Sequence, residues 1–269
     1  MKAKLGFGWI LPALYVAFIA APLLWLARVS LAPAAAPGAG FALLPAQLTL
    51  QNYATLVSRD GWGQAFGMGL VEAAGAALIA VIAALPAAYA FARYRFLLDR
   101  ALLYWLFAGR IVPAAALAGP IGGLYASLAL FDTPIAVALA HGVFNLGVAV
   151  WIIEAAIRAS PRRIDETADM DGYVFTAFFF QILLPLIAKP VAIAFAVCFI
   201  FSWTETAIAS ALTSAVSRPI GAKIAEAALQ PGADMGLLAA AAMLTLVPGA
   251  VLVWFMRKHI AGGIAMGRG

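Results

Sequence analysis

The chain has 269 residues, of which 65% are hydrophobic and only 11% charged, and its net charge is +5. Soluble domains carry about 25% charged residues, so a water-soluble globule is excluded and lipid is the natural solvent for most of the chain. The basic excess does not point to nucleic acid, because Lys and Arg sit in short segments between apolar runs and no basic patch with interleaved aromatics occurs.

The first apolar run, residues 5–31, stands behind Lys2 and Lys4. Ala34, Ala35 and Ala36 resemble a signal-cleavage region. A signal core spans only about 7–15 residues, so an uncleaved first helix is the better reading. Residues 32–62, with Pro33, Pro37, Gly38, Gly40 and Pro45, read as an extramembrane loop in which 48–53 opens a short surface helix. The second run, 64–92, ends at Arg93-Tyr94-Arg95-Phe96. The third covers 101–128, and the polar dip Phe131-Asp132-Thr133-Pro134 separates it from the fourth, 135–157. A charged stretch, 158–171, leads toward the fifth run at 186–212, where the single Cys198 lies without a disulfide or metal partner of its own kind. A loop with Ser214, Ser217, Arg218, Pro219 and Lys223 precedes the sixth, 235–256, which stops at Arg257-Lys258-His259.

Each run has about 20 residues or more, enough for a helix across a hydrocarbon core of about 30 Å. Helices are required because lipid offers no partner to backbone N–H and C=O groups, and stretches such as 73–84 lack the alternation of a barrel strand. The expectation is an all-α membrane protein, one transmembrane domain over 1–269 with six spans. Lys2, Lys4, Arg93, Arg95, Arg100, Arg158, Arg162, Arg163, Lys189, Arg257, Lys258 and Arg268 fall on one side, against Arg59, Arg218, Lys223 and Arg28 on the other. The richer side is cytoplasmic, which puts both termini in the cytoplasm.

The stretch between the fourth and fifth runs is the most informative. Ser160 followed by Pro161 reads as a helix start, and Gly172 as a stop that tolerates positive φ. The spacing predicts a helix of about three turns that carries Asp165 and Glu166 near its start, where the helix dipole favours acids. A purely topogenic loop explains Arg162 and Arg163 but not Asp165, Glu166, Asp169 and Asp171, since acids contribute little to orientation. A short charged helix held outside the bilayer suits docking onto a soluble partner.

These residues resemble the cytoplasmic loop of permeases from binding-protein-dependent ABC importers, with a Glu-Ala-Ala core, then Asp-Gly, then Ile-x-Leu-Pro. Here the stretch offers Glu166-Thr167-Ala168, Asp169, Asp171-Gly172 and Ile182-Leu183-Leu184-Pro185, and Phe179 fits as well. Thr167 departs from alanine and Tyr173 from a small residue. Residues 48–53, 86–93, Arg110-Ile111-Val112-Pro113, Trp203-Thr204-Glu205 (threonine replacing asparagine) and the Gly-rich tail 262–269 resemble the carbohydrate branch, in particular the smaller maltose-type permease.

The resemblance implies a type I importer permease of six transmembrane helices with a coupling segment at 160–185, in the inner membrane. It implies a second homologous permease, two cytoplasmic ATPase subunits, and a periplasmic or lipid-anchored solute-binding protein, with lipid around the bundle. ATP and Mg would be bound by the ATPase subunits, because no Gly-Lys-Ser/Thr phosphate loop occurs in this chain and it holds no cofactor of its own. Glu166 to Gly172 would sit in an ATPase cleft and switch the bundle on closure.

Inside the runs lie Glu72, Arg110, Glu154 and Glu205, with Asp132 and His141 near an edge. Each needs a partner or water, because a central charge costs about 3 kcal/mol on insertion scales. Glu205 and Arg110 are the first candidates for pairing. Trp9, Trp25, Trp62 and Trp254 fall near expected interfaces, whereas Trp203 and Asn145 lie deeper. Trp203, Thr204, Glu205 and Asn145 are candidates for the solute path, with interhelical packing as the competing reading. A carbohydrate or polyol is the expected solute. The alternatives are another small solute carried by the same architecture, a secondary transporter, or a membrane enzyme, against which a chain with only two histidines argues.

Overall fold

The computed structural model describes residues 9–33, 47–58 and 61–266, with side chains as far as Arg257. Expectations resting on Lys2, Lys4, residues 34–46, Arg59, the side chains of Lys258 and His259, and residues 267–269 of the Gly-rich tail, Arg268 included, lie outside the described residues. Among the described residues all regular structure is helical. Four helices are long and apolar enough to cross a membrane: Ile10–Ser30, Trp62–Arg93, Pro134–Ala159 and the Met235–Arg257 part of the last helix. The pair Phe175–Leu186 and Ala188–Thr204, bent by 76°, adds a fifth.

Two compact units divide at Gln64/Ala65, Ala222/Lys223 and Pro248/Gly249. In the first, α1 (Ile10–Ser30) exposes most of its apolar surface, as a lipid-facing helix does, and buries only Arg28 and Ser30. The short helix α2 (Gln51–Ser58) is not a free surface helix, because Asn52 and Leu56 are buried. Asn52 donates to the Ser30 and Ala32 carbonyls, each at 2.9 Å, and the Tyr53 and Ser30 hydroxyls meet at 2.8 Å. Leu56 packs with Leu237, Leu238, Ala240 and Ala241. Trp62 belongs to that cluster at 7% exposure, with the Lys223 ammonium 5.1 Å from its ring centroid, so it is a packed residue rather than an interface anchor. Trp9, Trp25 and Trp254 remain exposed.

In the second unit, α3 (Trp62–Arg93) presents Ala73, Ala77, Ala80, Ala84 and Ala88 to the core, each at most 2% exposed. A stripe of small residues at helical spacing lets helix backbones approach closely, which is how helices gain packing energy where lipid supplies no hydrophobic drive. Facing this core are α6 (Pro134–Ala159), with Ala149, Val150, Ile153 and Ile157, and α10 (Ala188–Thr204), with Ala194, Cys198 and Phe199. Thr133 caps α6 by accepting from the Ala136 N–H at 3.3 Å, ahead of Pro134 at its start. A side chain at Gly147 would run into the Leu106 carbonyl of α4 (Asp99–Ala108), so glycine sets that helix approach.

The third expected span is two helices. α4 ends at Ala108, residues 109–112 continue as turns and a bend, and α5 (Ala114–Ser127) starts behind the extended Pro113. Proline lacks an N–H and pushes the preceding residue out of the helical region, so the break follows from Pro113. The fifth is broken likewise: α10 ends at Thr204, Glu205 is extended at φ −81°, ψ 125°, and α11 (Ala207–Leu212) continues. It is preceded by α8 (Phe175–Phe178), a π-helical turn over Phe179–Leu183 and α9 (Leu184–Leu186). α12 (Ile220–Ala228) and α13 (Met235–Met266) complete the order.

Candidate functional site

Two places carry chemistry. The first is α7 (Arg163–Met170), shorter than the expected three turns. Ser160 does not cap it. Ser160 closes α6 instead, its hydroxyl donating to the Ile157 carbonyl at 2.7 Å and accepting from Arg93 Nη2 at 2.7 Å. With that hydroxyl engaged, the first turn of α7 rests on backbone bonds from Asp165 and Glu166 to the Arg162 carbonyl. The far end behaves as expected. Gly172 has φ +78°, its N–H donates to the Asp169 carbonyl, and Tyr173 N–H donates to the Ala168 carbonyl, both at 3.0 Å. This is the paired C-terminal arrangement that calls for a left-handed residue.

Arg93, at the end of α3, braces α7. Its Nε donates to Asp165 Oδ1 at 3.1 Å and its Nη2 lies 2.8 Å from Oδ2, with side-chain exposures of 7% and 19%. Tyr89 adds its hydroxyl to Oδ1 at 3.1 Å, and Arg93 Nη1 donates to the Ser160 carbonyl at 3.3 Å. Ala168 is buried on the inner side, while Glu166, Thr167, Asp169, Asp171 and Gly172 are exposed on the outer one. The hydroxyl of Thr167, where the family has alanine, therefore costs no buried polar group. A cavity of about 440 Å³ lies beside the helix, lined by Tyr89, Tyr94, Asp165, Glu166, Tyr173 and Phe178 among others. The sequence reading counted Arg93 only as a topological charge and missed the brace. The signal that could have found it is an arginine ending an apolar helix ahead of a short acidic one.

The second place is a cavity of about 280 Å³ bounded by Arg110, His141, Phe144, Asn145, Phe201 and Glu205. Both helix breaks reach it. Arg110 to Pro113 come from the gap between α4 and α5, and Glu205 from the gap between α10 and α11. Arg110 Nη1 donates to Asn145 Oδ1 at 3.0 Å, and its guanidinium carbon stands 4.2 Å from the Phe201 ring centroid. Asn145 Nδ2 donates to the Cys198 carbonyl at 3.1 Å. The ring nitrogens of His141 lie 2.7 Å from Ser202 Oγ and 2.9 Å from Glu205 Oε2. The Glu205 carboxylate also accepts the Ala207 and Ile208 N–H groups, at 2.8 and 3.1 Å, and so closes the start of α11.

Of the four path candidates, Asn145 and Glu205 meet at this cavity. Thr204 is exposed, its hydroxyl donating back to the Ile200 carbonyl at 2.9 Å. Trp203 turns to a different face, stacked on Phe199 at 6.0 Å and edge-on to Phe66 at 5.5 Å. Arg110 and Glu205 share the cavity, but their closest partners are Asn145 and His141. Glu154 pairs with Arg158 one turn on. Glu72 is 2% exposed, and its Oε1 has no hydrogen-bond partner among the described residues. Sequence reading named His141 only as an ionisable residue near an edge and did not place it with the path candidates. Its one visible signal was polarity four residues before Asn145 on the same helix.

Residues 76–262 match the family described as binding-protein-dependent transport system inner membrane component, and the chain belongs to it. The trehalose transport system permease protein SugB of Mycobacterium tuberculosis is 29% identical over 280 residues, covering 99% of this chain and 98% of that one. The alpha-glucoside transport system permease protein AglG of Rhizobium meliloti is 28% identical over 235 residues, covering 84% of this chain and 61% of that one. The crystal structure of a bacterial ABC transporter involved in the import of the acidic polysaccharide alginate superposes with a TM-score of 0.76 at 16% identity, covering 94% of each chain. The fold is thus that of a type I ABC importer permease. The chain is a multi-pass inner-membrane permease subunit that works with a solute-binding protein, and ATP hydrolysis belongs to other subunits.

Proposed function

We propose that this subunit forms half of the translocation path of an ABC importer for a carbohydrate or polyol, and that α7 with Gly172 couples it to an ATPase subunit. The observation that carries the coupling is the outward acidic face of a helix anchored on its inner side. Glu166, Asp169 and Asp171 are exposed, while Ala168 and the Arg93–Asp165 pair tie the helix to the bundle. A partner that grips the outer face moves the inner one with it. The named relatives carry trehalose and alpha-glucosides, which supports the solute class. The full assembly has a second, homologous permease, two ATPase subunits that hold ATP and Mg, and a periplasmic or lipid-anchored binding protein, with both termini of this chain cytoplasmic.

Glu166→Lys reverses a charge on the docking face without touching the bundle. With the whole importer co-expressed, less ATPase is expected to co-purify with this variant, and ATP-dependent uptake of labelled trehalose or maltose to fall. Full co-purification together with wild-type uptake would rule out the coupling role.

A further inference from the structure

Non-helical backbone at membrane depth survives only where protein buries it or where it lines a cavity. In secondary transporters, broken helices commonly flank the substrate. Here two breaks on different spans, 109–113 and Glu205–Thr206, border one cavity. Each break supplies a charged side chain of opposite sign, Arg110 from one and Glu205 from the other. Packing alone does not require this, because a continuous helix would satisfy the backbone of each segment without either charge.

We infer that this cavity is a solute subsite within this subunit and that it holds a single neutral, hydroxyl-rich ring. The inference rests on the carbohydrate reading above and goes beyond it, since a subunit that merely walls the path needs no polar subsite. Size sets the first limit. About 280 Å³ lies just below the range of about 300 to 1,000 Å³ for pockets that hold drug-sized ligands, so one ring fits and a chain of rings does not.

Charge sets the second limit. Arg110 and Glu205 bring one charge of each sign to the cavity, so an anionic solute would face the Glu205 carboxylate and a cationic one the guanidinium. Hydrogen-bonding capacity sets the third. Asn145 spends its amide on Arg110 and Cys198, and His141 spends both ring nitrogens on Ser202 and Glu205. Arg110 bonds Asn145 through one nitrogen and has no carboxylate within ion-pair distance among the described residues. Its further N–H groups are donors for ring hydroxyls, and Phe144 supplies an apolar flank. Arg110 is the group that recognises the solute, whereas Asn145 and His141 position Arg110 and Glu205.

The test uses the complete importer in proteoliposomes, with its binding protein and ATP. Uptake of a labelled glucose disaccharide and of its deoxy analogues is measured per assembled complex. Loss of a hydrogen bond to a charged donor is worth roughly a tenfold change or more. Arg110→Gln is expected to lower uptake of the parent sugar by about that factor, and to leave at least one deoxy analogue unchanged, so that discrimination at one hydroxyl disappears. Arg110→Lys should recover part of it. Phe144→Leu removes the aromatic flank while keeping an apolar side chain of somewhat smaller volume, serves if the arginine variants fail to assemble, and should reduce uptake several-fold with assembly intact. Equal losses for parent and analogues in the arginine variants, or wild-type uptake in Phe144→Leu, would overturn the subsite while leaving the carbohydrate reading in place. A wild-type importer that takes up none of the sugars would overturn both.

Discussion

At the scale of single residues, two positions give clean tests because the surroundings leave one dominant effect. Gly172 has φ +78°, and a Cβ there would meet nothing within 4 Å. Backbone strain is therefore the only penalty for a larger residue, about 1–2 kcal/mol in the left-handed region. Gly172→Val is expected to lower thermal stability by that order and to impair ATP-driven uptake, with Gly172→Asn milder because asparagine tolerates this region. Equal stability of all three proteins in a melting experiment would contradict the account. Asp132, just before α6, is the second. Its carboxylate accepts from the Ser214 and Ser217 N–H groups at 2.9 and 3.1 Å, from their hydroxyls at 2.5 and 2.9 Å, and from Val216 N–H at 3.2 Å. Burial opposes ionisation, but the hydrogen bonds from Ser214 and Ser217 outweigh it and hold this carboxyl well below the usual range. A depressed folded-state value means stability that is present above the unfolded pKa of about 4 and lost as pH falls through the folded one. Asp132→Asn should cost about 1–3 kcal/mol at neutral pH, a gap that narrows as the medium is acidified below about pH 4. A gap that stays constant into acid would show that the carboxylate's charge is not what holds the 213–217 loop.

At the scale of elements, the brace between α3 and α7 carries the coupling proposal. The buried Arg93 side chain hydrogen-bonds Asp165 Oδ1 and Ser160 and ion-pairs with Asp165 Oδ2. Removing one partner of such a pair strands the other. Arg93→Gln is expected to weaken ATP-driven uptake while the ATPase still co-purifies, because the docking face is intact and only its link to the bundle is lost. The reciprocal exchange, Arg93→Asp with Asp165→Arg, should restore part of the uptake. If each single variant transports like the wild type, α7 moves the bundle by another route. The short acidic helix and its glycine stop were legible in sequence, because local chemistry determines both. Its start was not, since Ser160 had to choose between capping α7 and serving α6 and Arg93, and the second choice depends on a residue 67 positions away. The breaks at 109–113 and Glu205 were hidden for a related reason. Hydrophobicity marks where a chain enters lipid, but it does not register a turn whose polar groups are satisfied by neighbouring helices. Hence Glu205, Asn145, Arg110 and His141 could each be named from sequence as polar residues in or beside apolar runs, while the pairing of Glu205 with His141 and of Arg110 with Asn145 emerges only from packing.

At the scale of the whole molecule, the hydrogen bonds within the second unit constrain the number of crossings more tightly than hydropathy does. Arg93 ends α3 and meets Ser160 and Asp165 just beyond the end of α6, so those two helix ends lie at the same level. The chain between them passes through α4, α5 and α6. If α6 crosses once, the α4–α5 segment must cross once as well, in spite of its break. The opposite end obeys the same logic, because Asp132 before α6 meets Ser214 and Ser217 after α11. The α10–α11 segment therefore runs back across, again through a break. If α1, α3 and α13 each cross once as well, six crossings are expected, with Arg93, Arg158 and Arg162 held by hydrogen bonds at one level. Since basic loops stay in the cytoplasm, reporter fusions after Arg100, Arg163 and Met256 should read cytoplasmic, and those after Pro45, Phe131 and Ser217 should read external. The informative pair is Arg100 and Phe131, because they flank the broken third span and nothing else. If both report the same side, the α4–α5 segment dips into the membrane and returns. The level-matching of Arg93 with Ser160 would then require α6 to do the same, which its 26 continuous helical residues forbid.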